Sequence, residues 1–136
     1  MIQRIQSVWL LAASIVSFLT LKLSFYSGTY LPDNLYHQLN GTENLTLMIP
    51  TIALGILTLL TIFLFKNRVT QLRLCMAAIL LDVLLIVLYF RSLKDFSRGD
   101  FAFTAVLHLA IISALVLAAS GINKDEKLIK DSNRLR

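Results

Sequence analysis

Four long apolar segments alternate with short polar stretches along the chain. They cover residues 8–26, 45–65, 74–90 and 101–120. A bilayer core about 30 Å thick requires roughly 20 helical residues at about 1.5 Å per residue, so each segment is close to the length of one crossing. None of the segments alternates with a period of two, which favours helices over membrane strands. The pattern predicts a single all-α domain over residues 1–136, an integral membrane four-helix bundle.

The polar stretch 27–44 between the first two segments contains LPDNLYHQLN. Pro32 suits the first turn of a helix, and Leu35, Tyr36 and Leu39 would share one helical face. This spacing predicts a short interfacial helix in an outer loop. The alternative is a docking surface for an envelope partner.

The C-terminal stretch 121–136 reads GINKDEKLIKDSNRLR. Gly121 is expected to end the fourth helix in a left-handed cap. Asn123 followed by Glu126 resembles a capping box, which would start a second, short cytoplasmic helix. Glu126 and Lys130 have the spacing of an i,i+4 ion pair. The tail would either fix the topology through its charge or form a cytoplasmic docking helix.

Composition supports a membrane protein, because 57% of the residues are hydrophobic and the mean hydropathy is +0.72. Soluble domains contain roughly 45–50% apolar residues. The net charge of +5 lies in short runs that are not interleaved with aromatic residues, so we expect no nucleic-acid partner. The lone Cys75 cannot form an internal disulfide, and a small residue at a helix contact is its simplest interpretation.

Basic residues predict the orientation. The two ends and the loop after the second segment contain nine of them, which form a candidate cytoplasmic docking set: Arg4, Lys66, Arg68, Arg73, Lys124, Lys127, Lys130, Arg134 and Arg136. The opposite side would contain four: Lys22, Arg91, Lys94 and Arg98. The excess of Lys and Arg predicts that both termini are cytoplasmic. The first segment is expected to remain as an anchor, because no small-x-small cleavage site follows it.

Each predicted helix has a narrow stripe of small or weakly polar residues. Membrane helices pack through such residues, because lipid provides no hydrophobic drive for their association. The stripes predict a compact bundle, and they equally suit contact with a membrane-protein partner or a second copy of the chain. The members are Ser7, Ser14, Ser17 and Ser24; Thr51, Gly55 and Thr58; Cys75, Ala78 and Asp82; and Thr104, Ala105 and His108.

Asp82 and His108 are ionisable residues inside apolar segments. Counted from the predicted helix ends, Asp82 lies about 12 Å deep and His108 about 10–11 Å deep on the next, antiparallel helix. A charge near the centre of a membrane helix costs roughly 2.5–3.5 kcal/mol, so a hydrogen-bonded partner is valuable there. We therefore expect the two side chains to face each other. Three roles remain open for them: a structural pair that fixes helix register, a proton- or ion-linked site, and contact with lipid or a partner.

Several kinds of chemistry have no counterpart in the sequence. It contains no glycine-rich phosphate loop, no metal-ligand spacing and no Ser–His–Asp set. We therefore expect a protein without enzymatic activity, cofactor or metal, and we interpret His37 as a surface residue. The main hypothesis is an accessory or scaffold subunit of an envelope membrane complex. The alternative is a small proton- or ion-coupled transporter or channel that uses Asp82 and His108.

The two ends of the chain, MIQRIQSVWLLAA and KDEKLIKDSNRLR, resemble those of a family of small four-pass membrane proteins from Bacteroidota. The family is known as domain of unknown function 4293. The resemblance implies the bacterial inner membrane, and it brings no activity, substrate or cofactor. Both matching stretches would lie on the cytoplasmic side. We therefore expect the two ends to approach each other or a common partner.

Overall fold

The computed structural model describes residues 2–135, with side chains from residue 5 onward. Its four helices are α1 (Ile2–Leu19), α2 (Leu45–Phe63), α3 (Arg68–Ser92) and α4 (Thr104–Arg134). In length and composition α2, α3 and α4 are each able to cross a membrane, and Ile5–Leu19 of α1 is a shorter apolar helix. The prediction of four helices is thus confirmed, with bounds that differ from the predicted segments. Three of the four predicted crossings have a helix long and apolar enough to span a membrane.

The helices form a ring in which α1 packs against α2 and α4, and α3 packs against the same two helices. Small residues line the contacts, as between α1 and α2. There the Ser14 hydroxyl donates a hydrogen bond of 3.0 Å to the Gly55 carbonyl. A Cβ atom on Gly55 would lie 2.6 Å from the Phe18 ring, so the glycine allows this close approach.

A three-stranded antiparallel sheet covers one end of the bundle. It contains β1 (Ser24–Tyr30), β2 (Tyr36–Asn40) and β3 (Phe96–Phe101), in the order β2-β1-β3. The all-α prediction is therefore wrong. The first helix ends at Leu19 rather than at residue 26, because residues 24–26 belong to β1.

The predicted interfacial helix within 27–44 is also wrong. Leu39 is buried in β2 while its neighbour Gln38 is exposed, an alternation that suits a strand. Asn34 adopts φ 51° in the turn between β1 and β2, a left-handed conformation that asparagine tolerates. Pro32 therefore belongs to the turn of a hairpin rather than to a first helical turn.

The predicted break at Gly121 does not occur, since α4 continues without interruption to Arg134. A Cβ atom on Gly121 would lie 2.8 Å from the Gln6 side chain, so this glycine lets α1 and α4 approach each other. The short separate helix after Asn123 is accordingly wrong. The pair of Glu126 and Lys130 is confirmed at 2.6 Å.

Candidate functional site

The two ionisable residues of the apolar helices are in direct contact. His108 Nδ1 and Asp82 Oδ1 are hydrogen-bonded at 2.8 Å. Asp82 is 0% exposed and His108 is 1% exposed. Asp82 lies ten residues before the end of α3, whereas His108 lies only four residues after the start of α4. The expected contact is therefore present. Helix α3 extends beyond the first turn of α4 at this end of the bundle, so the two residues lie at the same level although their distances from the helix ends differ.

Aromatic rings from the sheet and from α3 cover this pair. Phe25 of β1 stacks on Tyr89 with ring centroids 4.3 Å apart, and its ring meets the His108 ring at 5.8 Å. The Tyr89 and His108 rings are 5.3 Å apart. Sequence reasoning missed both aromatic residues. Tyr89 follows Asp82 by two helical turns on the same face, a spacing that could have identified it.

Five buried side-chain atoms of the described residues have no protein hydrogen-bond partner. They are His37 Nε2, Asn40 Oδ1, Asp82 Oδ2, the Tyr89 hydroxyl oxygen and His108 Nε2. The Tyr89 hydroxyl lies beside Thr51 without a well-formed hydrogen bond to it. We call the end of the bundle that carries the strands the sheet end. All five atoms belong either to the Asp82–His108 pair or to this end.

The hydroxyl groups of the bundle interior are mostly satisfied within their own helices. Five of them donate to a backbone carbonyl three or four residues earlier: Ser17, Thr20, Thr51, Thr58 and Thr61. Such back-bonding uses the one donor of each hydroxyl, and its oxygen can still accept a hydrogen bond. From His108 towards the C-terminus, the buried positions of α4 up to residue 122 are apolar: Ile111, Ala114, Leu115, Ala118 and Ile122.

A second polar cluster closes the opposite end of the bundle, which we call the tail end. The Gln6 side-chain amide donates a hydrogen bond of 2.9 Å to Asp125 Oδ2, and Arg68 Nη1 lies 3.2 Å from the same oxygen. Asp125 is only 6% exposed. These contacts join α1, α3 and α4, and they confirm that the two ends of the chain approach each other.

Sequence reasoning did not select Asp125 or Gln6 as a contact pair. A signal for Asp125 was present, because it continues the buried face of α4 one turn beyond Ile122. The capping-box interpretation of Asn123 and Glu126 obscured that periodicity.

The basic residues predicted to dock a partner have different environments at the tail end. Arg68 is half-buried against Asp125, and Lys130 pairs with Glu126. Five others are exposed: Lys66, Arg73, Lys124, Lys127 and Arg134. The side chain of Arg4 and all of Arg136 lie outside the described residues.

A small polar hollow of about 250 Å³ lies between the sheet and the start of α2, lined in part by His37, Glu43 and Asp95. Burial raises the pKa of Glu43, and the nearby His37 opposes that shift. Within residues 2–135, as far as the structure describes their side chains, no group of three or more His, Cys, Asp or Glu residues could hold a metal ion. The Asp82–His108 pair is the stronger candidate site, because its two side chains are buried and directly hydrogen-bonded.

A family model matches residues 2–135 of the chain. The chain belongs to DUF4293, a domain of unknown function. No curated protein and no solved structure matches it. The family resemblance noted at the two ends therefore extends over nearly the whole sequence. The description of DUF4293 names no activity.

We expect Asp125→Asn to destabilise this DUF4293 bundle by roughly 1–3 kcal/mol, the usual cost of weakening hydrogen bonds to a buried charged group. Reversible unfolding in detergent micelles measures the change. The matched control is the neighbouring Glu126→Gln, whose partner Lys130 is 71% exposed at its side chain. Exposed i,i+4 pairs contribute only about 0.3–0.5 kcal/mol. Equal losses in the two variants would show that the cluster at Asp125 does not hold the helices together.

Proposed function

We propose that this DUF4293 chain is a non-enzymatic accessory or scaffold subunit of an envelope membrane complex. The observation that carries the proposal is the outer surface of the sheet. It forms a shallow hollow of about 610 Å³ with Tyr26, Tyr36 and Arg98 around the paired Gly28 and Gly99. Tyr36 is 69% exposed. Tyrosine and arginine are enriched at protein–protein contacts, so we propose an extended segment of another envelope protein as the occupant.

The geometry also supports four membrane crossings. Gln6, near the start of α1, contacts Asp125 at the tail end, and the other end of α1 leads into the sheet. Helix α1 therefore runs between the same two ends of the bundle as the other helices. Among the described residues six exposed basic side chains lie at the tail end and four at the sheet end, an excess that supports cytoplasmic termini in a bacterial inner membrane. The sheet would then face outward.

The interior of the bundle favours a scaffold over the alternative of a transporter. The Asp82–His108 pair joins α3 to α4, and the buried positions of α4 that follow it are apolar as far as Ile122. Transport of protons or ions across the bilayer would require polar groups to continue through this part of the bundle. We therefore infer that the pair serves mainly to fix the two helices against each other.

The test is purification of a tagged chain from native membranes in mild detergent, with mass spectrometry of the proteins that accompany it. We expect one envelope complex in stoichiometric amounts. Two variants distinguish the sheet surface from the lipid-facing surface. They are Tyr36→Ala and Leu80→Ala, since both residues are 69% exposed and Leu80 lies within the membrane helix α3.

Loss of a well-packed aromatic contact typically weakens binding by about tenfold or more. We expect that loss for Tyr36→Ala and full recovery of the complex with Leu80→Ala. A chain that purifies alone, or only with copies of itself, would refute the subunit role. A loss of partner in both variants would refute the sheet as the docking surface.

A further inference from the structure

We propose that water binds inside the bundle at the Asp82–His108 pair and connects this pair to the sheet end. The two residues use Oδ1 and Nδ1 for their mutual hydrogen bond, which leaves Asp82 Oδ2 and His108 Nε2 without a protein partner among the described residues. Both side chains are at least 99% buried. Buried polar atoms are nearly always hydrogen-bonded, and ordered water supplies the partner where protein does not.

Further unpartnered atoms lead from the pair towards the sheet end. The Tyr89 ring contacts the His108 ring, and its hydroxyl lies 3.1 Å from the position that a Cβ atom on Gly41 would occupy. The residue before Gly41 is Asn40, the last residue of β2, and its Oδ1 is another of the buried atoms without a protein partner. Because water molecules can bridge separated polar groups, this series provides anchoring points for a short chain of them.

In the opposite direction the surfaces of α3 and α4 that face the interior are apolar. The buried hydroxyls of α1 and α2 on that side, those of Ser14, Ser17, Thr58 and Thr61, already donate to backbone carbonyls. On α3 the buried residues next to Asp82 towards the tail end are Ala78 and Cys75, and on α4 the first one after His108 is Ile111. Genuinely empty or dry regions in proteins are apolar, whereas hydrated ones have several polar partners. The hydrated site would therefore open towards the sheet end only. Protons could reach the pair from one side of the membrane without crossing it.

Among the described residues, aromatic rings of β1 and α3 pack against the His108 ring. Phe25 of β1 and Tyr89 of α3 contact the His108 ring, and Thr51 of α2 lies beside the Tyr89 hydroxyl. Of these three, only Tyr89 titrates. The site is independent of the proposed docking role, because hydration of the pair does not require any partner on the sheet.

Solid-state NMR of the chain in lipid bilayers tests the proposal through the His108 ring. The chain has two histidines, so His37→Gln with ¹⁵N-labelled histidine leaves His108 as the only ring signal. We expect transfer of magnetisation from water protons to this ring. If His37→Gln does not fold, the unsubstituted chain serves, since a water-soluble paramagnetic ion broadens the signal of the partly exposed His37 more than that of the buried His108. No transfer to the His108 ring would mean that the pair is dry, which would overturn the proposal.

The route to the sheet end is tested by two identical substitutions on α2. Thr51→Val removes the hydroxyl beside Tyr89. Thr58→Val removes the hydroxyl that donates to the Leu54 carbonyl, and this residue lies two helical turns nearer the tail end. Both residues are 0% exposed. We expect transfer to His108 to fall several-fold in Thr51→Val and to stay unchanged in Thr58→Val. An equal fall in both variants, or a fall in Thr58→Val alone, would contradict access from the sheet end.

Discussion

Replacing His108 by leucine is expected to destabilise the bundle by about 1–3 kcal/mol or more, because the buried Asp82 carboxyl group loses its protein hydrogen-bond partner. Asp82 is 0% exposed, and its carboxyl would lose the hydrogen bond of 2.8 Å that now satisfies Oδ1. Asp82→Leu should cost less, since a neutral imidazole is easier to bury alone than a carboxylate. Reversible unfolding in mixed micelles of mild detergent and dodecyl sulfate measures both changes.

The double variant Asp82→Leu/His108→Leu completes the cycle. Hydrogen bonds between membrane helices contribute on average only about 0.6 kcal/mol, so a well-packed apolar replacement should recover most of the lost stability. We therefore expect the double variant to be more stable than His108→Leu alone. If the two substitutions were simply additive, the contact would have no energetic coupling and could not fix the register of α3 and α4.

Substitution of Gly28 by alanine is expected to separate β1 from β3 while the helices remain folded. The new Cβ atom would lie 2.2 Å from the Arg98 carbonyl oxygen and 2.8 Å from the Gly99 Cα. These are backbone atoms, which cannot rotate away as a flexible side chain could. Forcing extra atoms into a packed contact typically costs about 1–3 kcal/mol, which is large for a small sheet.

Hydrogen exchange of the backbone amides of residues 96–101 reports this change, and circular dichroism reports the helices. We expect amide protection in β3 to fall at least roughly tenfold, as about 1.4 kcal/mol would produce. Ser27→Ala is the matched control, because it alters the adjacent residue of β1 without adding an atom. If the amides of β3 kept their protection in Gly28→Ala, the close pairing of Gly28 with Gly99 would be wrong.

The helices and the Asp82–His108 contact could be predicted because both depend on regular geometry. A helix rises by a constant step, so two residues at similar depths on neighbouring helices can be matched by counting. The high cost of an isolated charge in the membrane then restricts the possible partners to very few. His108 was the remaining ionisable residue at the depth of Asp82, and chain order made α3 and α4 neighbours.

The sheet could not be predicted in the same way, because its pairing is not local. Strand β1 pairs with β3, which lies beyond two entire helices in the sequence. The stretch LPDNLYHQLN satisfies a helical spacing as well as the turn of a hairpin, and only the tertiary contact of Leu39 with the core decides between them. Phe25 was missed for the same reason, since its place over His108 depends on the strand.

Gly121 and Asp125, near the C-terminus, were both misinterpreted, and they show a second limit of prediction from the sequence. Glycine ends helices, and it also permits helices to approach closely, so Gly121 alone is ambiguous. Asp125 looked like one charge of a solvated tail. Its burial depends on Gln6 and Arg68 arriving from two other helices, and no local pattern encodes that meeting.

We propose that the sheet and the tail end lie on opposite sides of the inner membrane, with the sheet outside. Cysteine accessibility tests this claim directly. In a Cys75→Ser background we would place single cysteines at Ser97 of β3 and at Lys127 of α4, both exposed. A membrane-impermeant maleimide should label the first in cells with only the outer membrane opened, and the second only after the inner membrane is opened. Labelling of both positions from the same side, or in the reverse order, would contradict the account.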